Sequence, residues 1–352
     1  MTNKELASML NVSETTFSFI INNRPGISEK TRLRVIEELK ALGFESLIKS
    51  SVEPKTNPEV VSSINYKNIG FVIYKKHGKL VNDSPFFLLL LENIDAYVHS
   101  LGYNIIIRMI SENANIDQQI QDLDNTNLSG IILFATEMLE EDMLHFNTFA
   151  KPIVILDNDF TYLNYDSVVI NNSLGTYQAI KYLVDLGHKK IGYLQSNTFI
   201  NSFNERCAGY KQALKDLNLD LEERFHYLLS YSENESYKSF KRILDSKCDF
   251  PTAFVSDDDT ITFGVIHAIK EKAPHLLDQI SFIGFNDRPL CEMISPTLTS
   301  IAVPKDTFGI LAARTLIERI ENVKELNSQS FNKISIGVHL VARNSTHIPP
   351  LN

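Results

Sequence analysis

Residues 2–43 read TNKELASMLNVSETTFSFIINNRPGISEKTRLRVIEELKALG, and their start and stop signals spell three short helices. Thr2-Asn3-Lys4-Glu5 has the form of a capping box, in which the Thr hydroxyl and the Glu carboxylate satisfy orphan backbone N–H groups. Leu6, Met9 and Leu10 then fall at helical spacing and make one face apolar. Asn11-Val12 breaks the pattern, and Asn tolerates the left-handed backbone that a tight interhelical turn demands. Ser13 caps a second helix over 14–22 with Phe17, Ile20 and Ile21 inward. After the loop Asn23-Arg24-Pro25-Gly26, Ser28 caps a third helix with Val35, Ile36, Leu39 and Leu42 inward, and Gly43 stops it.

Outward from this block the chain changes character. Residues 45–66, ESLIKSSVEPKTNPEVVSSINY, are polar, hold two prolines and sustain no period, as an interdomain linker would. From Ile69 onward, β-branched runs alternate with helical patterns. Strands are expected at 69–74, 104–110, 130–134, 153–156, 167–170, 190–194, 252–255 and 280–285, with helices at 85–100, 175–186, 205–217, 260–272 and 308–320. Such alternation implies right-handed βαβ units and doubly wound parallel sheets, an α/β fold. The stretch is long for one such domain, so two lobes are expected. Ligands of these folds sit beyond the carboxyl ends of the strands, which puts the loops after the strands around a cleft.

Composition bounds the function. With 352 residues, 43% hydrophobic and 22% charged, the chain has room for two or three globular domains. The net charge of −9 divides unevenly, +1 over residues 1–52 and −10 over the rest. The asymmetry has the sign nucleic acid requires, but +1 is a weak footprint, so one copy would hold DNA poorly and a dimer is expected. Cys207, Cys248 and Cys291 stand far apart without a CxxC pair or a His at ligand spacing, so no disulfide framework and no metal site is expected. The N-terminus has no apolar signal region, and the longest apolar runs, such as 86–91, are too short to span a bilayer. A cytoplasmic, non-membrane protein is expected. No GxGxxG, GxxxxGK[ST], GxSxG or HExxH occurs, which argues against an α/β enzyme on a sugar, against catalytic residues and against a cofactor. An exported solute receptor would carry a signal peptide and lack the capped helices at the start.

At this point the residues resemble the lactose-repressor (LacI/GalR) family of bacterial regulators. The resemblance lies in Leu6-Ala7, Asn11-Val12-Ser13-Glu14-Thr15-Thr16-Phe17-Ser18, Ile20-Ile21-Asn22 and Ile27-Ser28-Glu29-Lys30-Thr31-Arg32. It continues in Ile69-Gly70, Pro85-Phe86-Phe87, Ser129-Gly130-Ile131-Ile132, Leu186-Gly187-His188-Lys189-Lys190-Ile191, Arg206 with Gly209-Tyr210, Ile283-Gly284-Phe285-Asn286-Asp287, Pro296-Thr297-Leu298-Thr299, and Arg343 with Ser345-Thr346. Each motif alone is weak, and their order and spacing together are specific. The resemblance implies a helix-turn-helix headpiece (1–44), a hinge (45–66) and a two-lobed, periplasmic-binding-protein-like core that binds effector and dimerises (67–352). The lobes are expected at about 67–165 with 301–325, and about 166–300 with 326–352.

The resemblance implies a repressor that grips a pseudo-palindromic operator as a homodimer. Its second helix would enter the major groove, with Glu14, Thr15 and Phe19 toward the base edges. Ser13, Thr16, Ser18, Asn22 and Ser28, with Thr2, would bond the DNA backbone. Phe19 departs from the polar or basic residue the family carries, so it could touch a thymine methyl but not read guanine. Its alternative is the headpiece core, and that of Glu14 is a first-turn carboxylate favoured by the helix dipole. The hinge keeps little of the family pattern; Leu47 or Val52 could wedge into the minor groove, or the segment is a plain tether.

For the effector, a sugar site needs an aromatic face and convergent polar groups from both lobes. The resemblance places Phe86 and Phe87 as the stacking platform, Asp157 and Arg206 as acceptor and forked donor, and Asp258 and Asn286 as hydroxyl binders. The implied guest is a mono- or oligosaccharide. The Phe pair opening an apolar helix also fits a core role. Asp259 and Asp287 are read as caps, His188 as a structural histidine, and the run Asp257–Asp259 not as a metal cage, since three consecutive side chains do not converge.

Overall fold

Helix α1 (Asn3–Met9) ends where Asn11 turns left-handed at φ 50, the conformation its side chain makes affordable. Ser13 then accepts the Thr16 amide at 3.0 Å and opens α2 (Glu14–Ile21); Ser28 accepts the Thr31 amide at 3.3 Å and opens α3 (Glu29–Ala41). Leu6, Ala7, Leu10, Phe17, Ile20, Ile21, Val35 and Leu39 make the buried centre of these three helices. The computed structural model describes residues 3–21, 27–41, 67–83, 86–246, 249–321 and 330–350. Thr2, Asn22, Leu47, Val52 and Cys248 therefore lie outside the described residues. The chain divides into two compact units, Met1–Ile64 and Asn65–Asn352.

Among the described residues the second unit forms two six-stranded sheets. Its elements run β1 (Lys67–Lys75), α4 (Lys79–Asp83), α5 (Phe86–Ser100), β2 (Tyr103–Ser111), α6 (Ile116–Asp124), β3 (Ile131–Phe134), β4 (Ile153–Leu156) and β5 (Asp166–Ile170). There follow α7 (Asn172–Asp185), β6 (Ile191–Ser196), α8 (Asn201–Asp216), β7 (His226–Leu229), α9 (Glu233–Asp245), β8 (Ala253–Ser256), α10 (Asp259–Lys272) and β9 (Ser281–Asn286). The last are α11 (Leu290–Met293), β10 (Thr299–Ala302), α12 (Lys305–Glu321), β11 (Lys333–Ile336) and β12 (His339–Val341). The first sheet has the order β11-β5-β4-β3-β1-β2, all parallel; the second, β12-β10-β9-β8-β6-β7, is parallel except where β12 runs against β10. Strands β3, β4 and β8 are buried at every position, as parallel strands covered on both faces must be.

The lobe limits read from the sequence need correction at two strands. β5 pairs with β4 (Leu156 opposite Val168) and β11 pairs with β5, so 166–170 and 333–336 belong to the first sheet and not to the second lobe. The chain passes to the second sheet after β5, returns after β10 and crosses again after β11. A strand's own residues announce its burial, while its sheet is chosen by partners far away in sequence.

Among the described residues no helix is long and apolar enough to cross a membrane, and no three His, Cys, Asp or Glu side chains are grouped as metal ligands would be. Cys207 and Cys291 are buried free thiols. His188 is buried with both ring nitrogens engaged, Nδ1 with Thr252 Oγ1 at 2.9 Å and Nε2 with the His347 carbonyl at 2.9 Å, as a structural histidine should be.

Candidate functional site

The strands of both sheets end toward one cleft of about 480 Å³, counting its solvent-open mouth. All six residues expected to bind effector line it: Phe86, Phe87, Asp157, Arg206, Asp258 and Asn286. The first lobe supplies Phe86 and Phe87 from the opening of α5, Phe134 from the end of β3, and Thr136 and Asp157 from the loops after β3 and β4. The second supplies Phe203 and Arg206 from α8, Tyr231 after β7, Asp258 after β8, Asn286 at the end of β9, and Arg288. Phe86 and Phe87 serve both of their candidate places, since they touch the cleft and also pack on the core, with ring centroids 6.4 Å from Phe308 and 6.3 Å from Phe134 respectively.

Two of the polar groups stand on unusual backbone. Asp157 has φ 67 and Asn286 φ 98, left-handed values that Asp and Asn accept more readily than most residues and that concentrate at functional sites. Asp157 Oδ2 accepts the Thr136 hydroxyl at 2.6 Å. Burial raises the Asp157 carboxyl to about 6, against the downward pull of the Thr136 hydroxyl and the Arg206 charge.

Arg206 sits within α8 and not in a loop, and is only 3% exposed. Its Nε donates to Asn172 Oδ1 at 2.8 Å, its Nη1 donates to the Asp257 carbonyl, and its guanidinium lies 3.7 Å from the Phe285 ring centroid. Among the described residues no carboxylate lies within ion-pair distance of it, and its Nη2 has no protein acceptor. A buried cation steadied by a ring, an amide and a carbonyl keeps one donor for a guest.

Asp258 is committed. It caps α10 by accepting the Thr260 amide at 2.8 Å, and its other oxygen accepts Asn286 Nδ2 at 2.6 Å and Arg288 Nη2 at 3.2 Å. The cap expected at Asp259 thus falls one residue earlier. Asp259 instead turns inward to accept the Ser300 hydroxyl at 2.6 Å and the Arg288 amide at 2.9 Å, against Gly284, where a Cβ would meet its Oδ1 at 2.0 Å. Asp257 accepts the Tyr193 hydroxyl and the Ser196 amide, and burial lifts its carboxyl to about 7.

Arg288, Tyr231, Thr136 and Phe203 were not singled out by sequence reasoning. Arg288 ends the run Asn286-Asp287-Arg288 and Phe203 precedes Arg206 by one helical turn, so both were within reach of a spacing argument. Tyr231 follows a strand, HYLL, too short and too exposed to announce itself.

In the first unit, Glu14 and Thr15 are exposed at the start of α2, with Glu14 in its first turn. Phe19 is half-buried and stands apart from the cluster that takes Phe17, Ile20 and Ile21. Ser13 and Ser28 are exposed caps whose hydroxyls also engage Thr16 Oγ1 at 2.8 Å and Thr31 Oγ1 at 2.7 Å. Ser18 is half-buried.

Residues 180–346 match the family model of a periplasmic binding protein-like domain. The ribose operon repressor of Haemophilus influenzae is 28% identical over 92% of this chain and 93% of its own length. The HTH-type transcriptional repressor PurR of Mannheimia succiniciproducens is 28% identical over 97% of both chains. Among solved structures, the lac repressor dimer bound to operator and the anti-inducer ONPF superposes with a TM-score of 0.67 at 20% identity, covering 99% of each chain. Shared order of motifs, near end-to-end coverage by two repressors at 28% identity, and the two-sheet core make this chain similar to transcriptional regulators of the LacI/GalR family along nearly its whole length.

Proposed function

We propose that this protein is a sequence-specific DNA-binding repressor whose operator affinity is set by a small sugar, a mono- or oligosaccharide, held in the cleft. One observation carries the reading: aromatic rings, an uncompensated guanidinium, two carboxylates and an amide from both lobes line a single cleft. Rings stack on the C–H faces of a pyranose or furanose, while a forked cation and carboxylates bridge its hydroxyls. The relatives include a repressor named for ribose, which fits this chemistry, and one named PurR.

On the DNA side, Ser13, Thr16, Ser18 and Ser28 are assigned to phosphates, and Glu14, Thr15 and Phe19 to base edges; Thr2 and Asn22 complete the phosphate set. The capping hydroxyls of Ser13 and Ser28 accept backbone amides and pair with the Thr16 and Thr31 hydroxyls, so each Ser–Thr pair keeps one hydroxyl proton for a phosphate. The operator is pseudo-palindromic because the regulator works as a homodimer. Its first-lobe face fits that role: Leu88 and Leu89 on α5 and Ile107 and Met109 on the edge strand β2 are all at least 40% exposed. No catalytic step, cofactor or metal is part of this function.

The test is a thermal-shift screen of the full chain against D-ribose, hexoses, disaccharides and purine bases, followed by selection of palindromic duplexes with and without each hit. A sugar that raises the melting temperature and changes duplex affinity is expected. Stabilisation by purine bases alone would replace the sugar, and a stabilising sugar that leaves DNA affinity untouched would remove the sensor.

A further inference from the structure

We propose that Glu137 is a positioning residue that holds the strap of residues 76–83 so that Leu80, carried by the first lobe, closes the cleft against the second; the proposal rests on the effector reading of that cleft. Glu137 follows β3 and is 2% exposed. Its Oε2 accepts the amides of Lys76 (3.0 Å), His77 (3.1 Å) and Gly78 (2.7 Å), and its Oε1 those of Leu80 (2.9 Å) and Val81 (3.2 Å). The Lys79 amide donates to His77 Nδ1 at 3.2 Å. Every amide from Lys76 to Val81 thus has a side-chain acceptor, and five of the six converge on one carboxylate. Gly78, at φ 71, lets the strap curl around it.

The strap has two apolar residues at the cleft, and they part company. Val81 joins the core cluster that covers the first sheet. Leu80 instead belongs to a separate cluster whose other members, Ile200, Phe203 and Tyr231, all come from the second lobe. A first-lobe side chain that lines the cleft is therefore embedded in second-lobe surface. The turn bearing Glu137 also reads the floor of the site: Thr136 beside it donates to Asp157, and Asn158 Nδ2 donates to the carbonyls of Ala135 and Met138 on either side. A carboxylate that gathers backbone amides at this density fixes a loop that would otherwise be free to open.

The chain has no tryptophan, so Phe203→Trp places a lone indole in the Leu80 cluster. In that background, full-length Glu137→Gln and Glu137→Ala are compared without sugar by acrylamide quenching and by hydrogen exchange of the 76–83 peptide. Quenching is expected to rise about threefold and exchange at 76–81 at least ~10-fold, with β1 and β3 unchanged. Acetate should restore both readouts in Glu137→Ala, where it can occupy the vacated carboxylate site, and not in Glu137→Gln, whose amide fills it. Parental quenching and exchange in both variants would overturn the proposal, as would failure of acetate to restore a folded Glu137→Ala. Leu80→Ser guards against misfolding of the Glu137 variants: quenching should rise while exchange at 76–81 stays parental, and unchanged quenching overturns the closure role. D-ribose is added last. A chain that keeps Phe203 and shows no heat of ribose binding in calorimetry counts against the effector reading for that sugar, while the strap measurements, made without it, stand.

Discussion

Replacing Arg206 with Lys keeps the charge and removes the shape. The guanidinium is held by two hydrogen bonds and by the Phe285 ring at 3.7 Å, an arrangement a tetrahedral ammonium on a shorter head cannot copy. Asn172 Oδ1 and the Asp257 carbonyl lose a buried donor, which costs the fold about 1–3 kcal/mol. For the effector, the loss is the charge-assisted bond from Nη2 plus its aim, about 1.5–3 kcal/mol, or roughly 10- to 150-fold in Kd. The two effects separate in calorimetry: titrate the sugar that most stabilises the parent at a temperature where both proteins are fully folded, and record melting curves independently. If Arg206→Lys melts lower but binds within about twofold of the parent, the guanidinium is a structural strut and the guest does not use it.

The Asp157 carboxyl, raised to about 6 by burial, gives a pH dependence whose sign is fixed. A guest that donates hydroxyls to Asp157 needs it ionised, so Kd should fall as pH rises through about 6 and be about tenfold weaker one unit below; Asp157→Asn should bind weakly at every pH, and a flat parent profile removes Asp157 as an acceptor. Phe19→Ala should weaken operator binding in a gel-shift titration while the headpiece stays folded by circular dichroism, because Phe19 is not part of its buried cluster; unchanged affinity takes Phe19 out of the reading set. Leu89→Asp on the exposed face of α5 should shift sedimentation toward monomer and weaken operator binding together; a variant that stays dimeric moves the interface elsewhere.

The described turns of the first three helices were legible because their signals are local. Ser13 and Ser28 cap where their hydroxyls reach the third amide onward, and Asn11 turns left-handed where an interhelical turn needs it. The long strands were legible as apolar runs, and the cleft residues followed from the rule that loops after parallel strands face the ligand, together with the family resemblance. Lobe membership was not legible. β5 and β11 are adjacent in the first sheet yet are separated in sequence by five strands of the second sheet, β6 to β10, and nothing in DSVVI or KISI names a partner. Glu137 was equally silent, since a carboxylate between an apolar strand and a polar loop looks like any exposed turn residue until its five amides are seen.

The division of partners inside the cleft says how a guest could shift the lobes. On the second lobe Asp258 already satisfies α10, Asn286 and Arg288, so a hydroxyl reaching it must share a filled acceptor and gains little. Arg206, also on the second lobe, has an open donor, and Asp157, on the first, has an oxygen beyond the one Thr136 holds. The uncommitted groups therefore face each other from different lobes, and a small polyol that spans them adds bonds that exist only when the lobes are together. Two such bonds, each to a charged group, contribute about 3 kcal/mol or more and multiply the closed-to-open ratio by roughly 100 or more, whereas a guest confined to Asp258 and Asn286 binds one lobe in either state and shifts nothing. Deoxy sugars lacking the hydroxyl that reaches Arg206 should then still occupy the cleft but lose their effect on DNA affinity. If they lose occupancy and effect in equal measure, the coupling does not run through this pair.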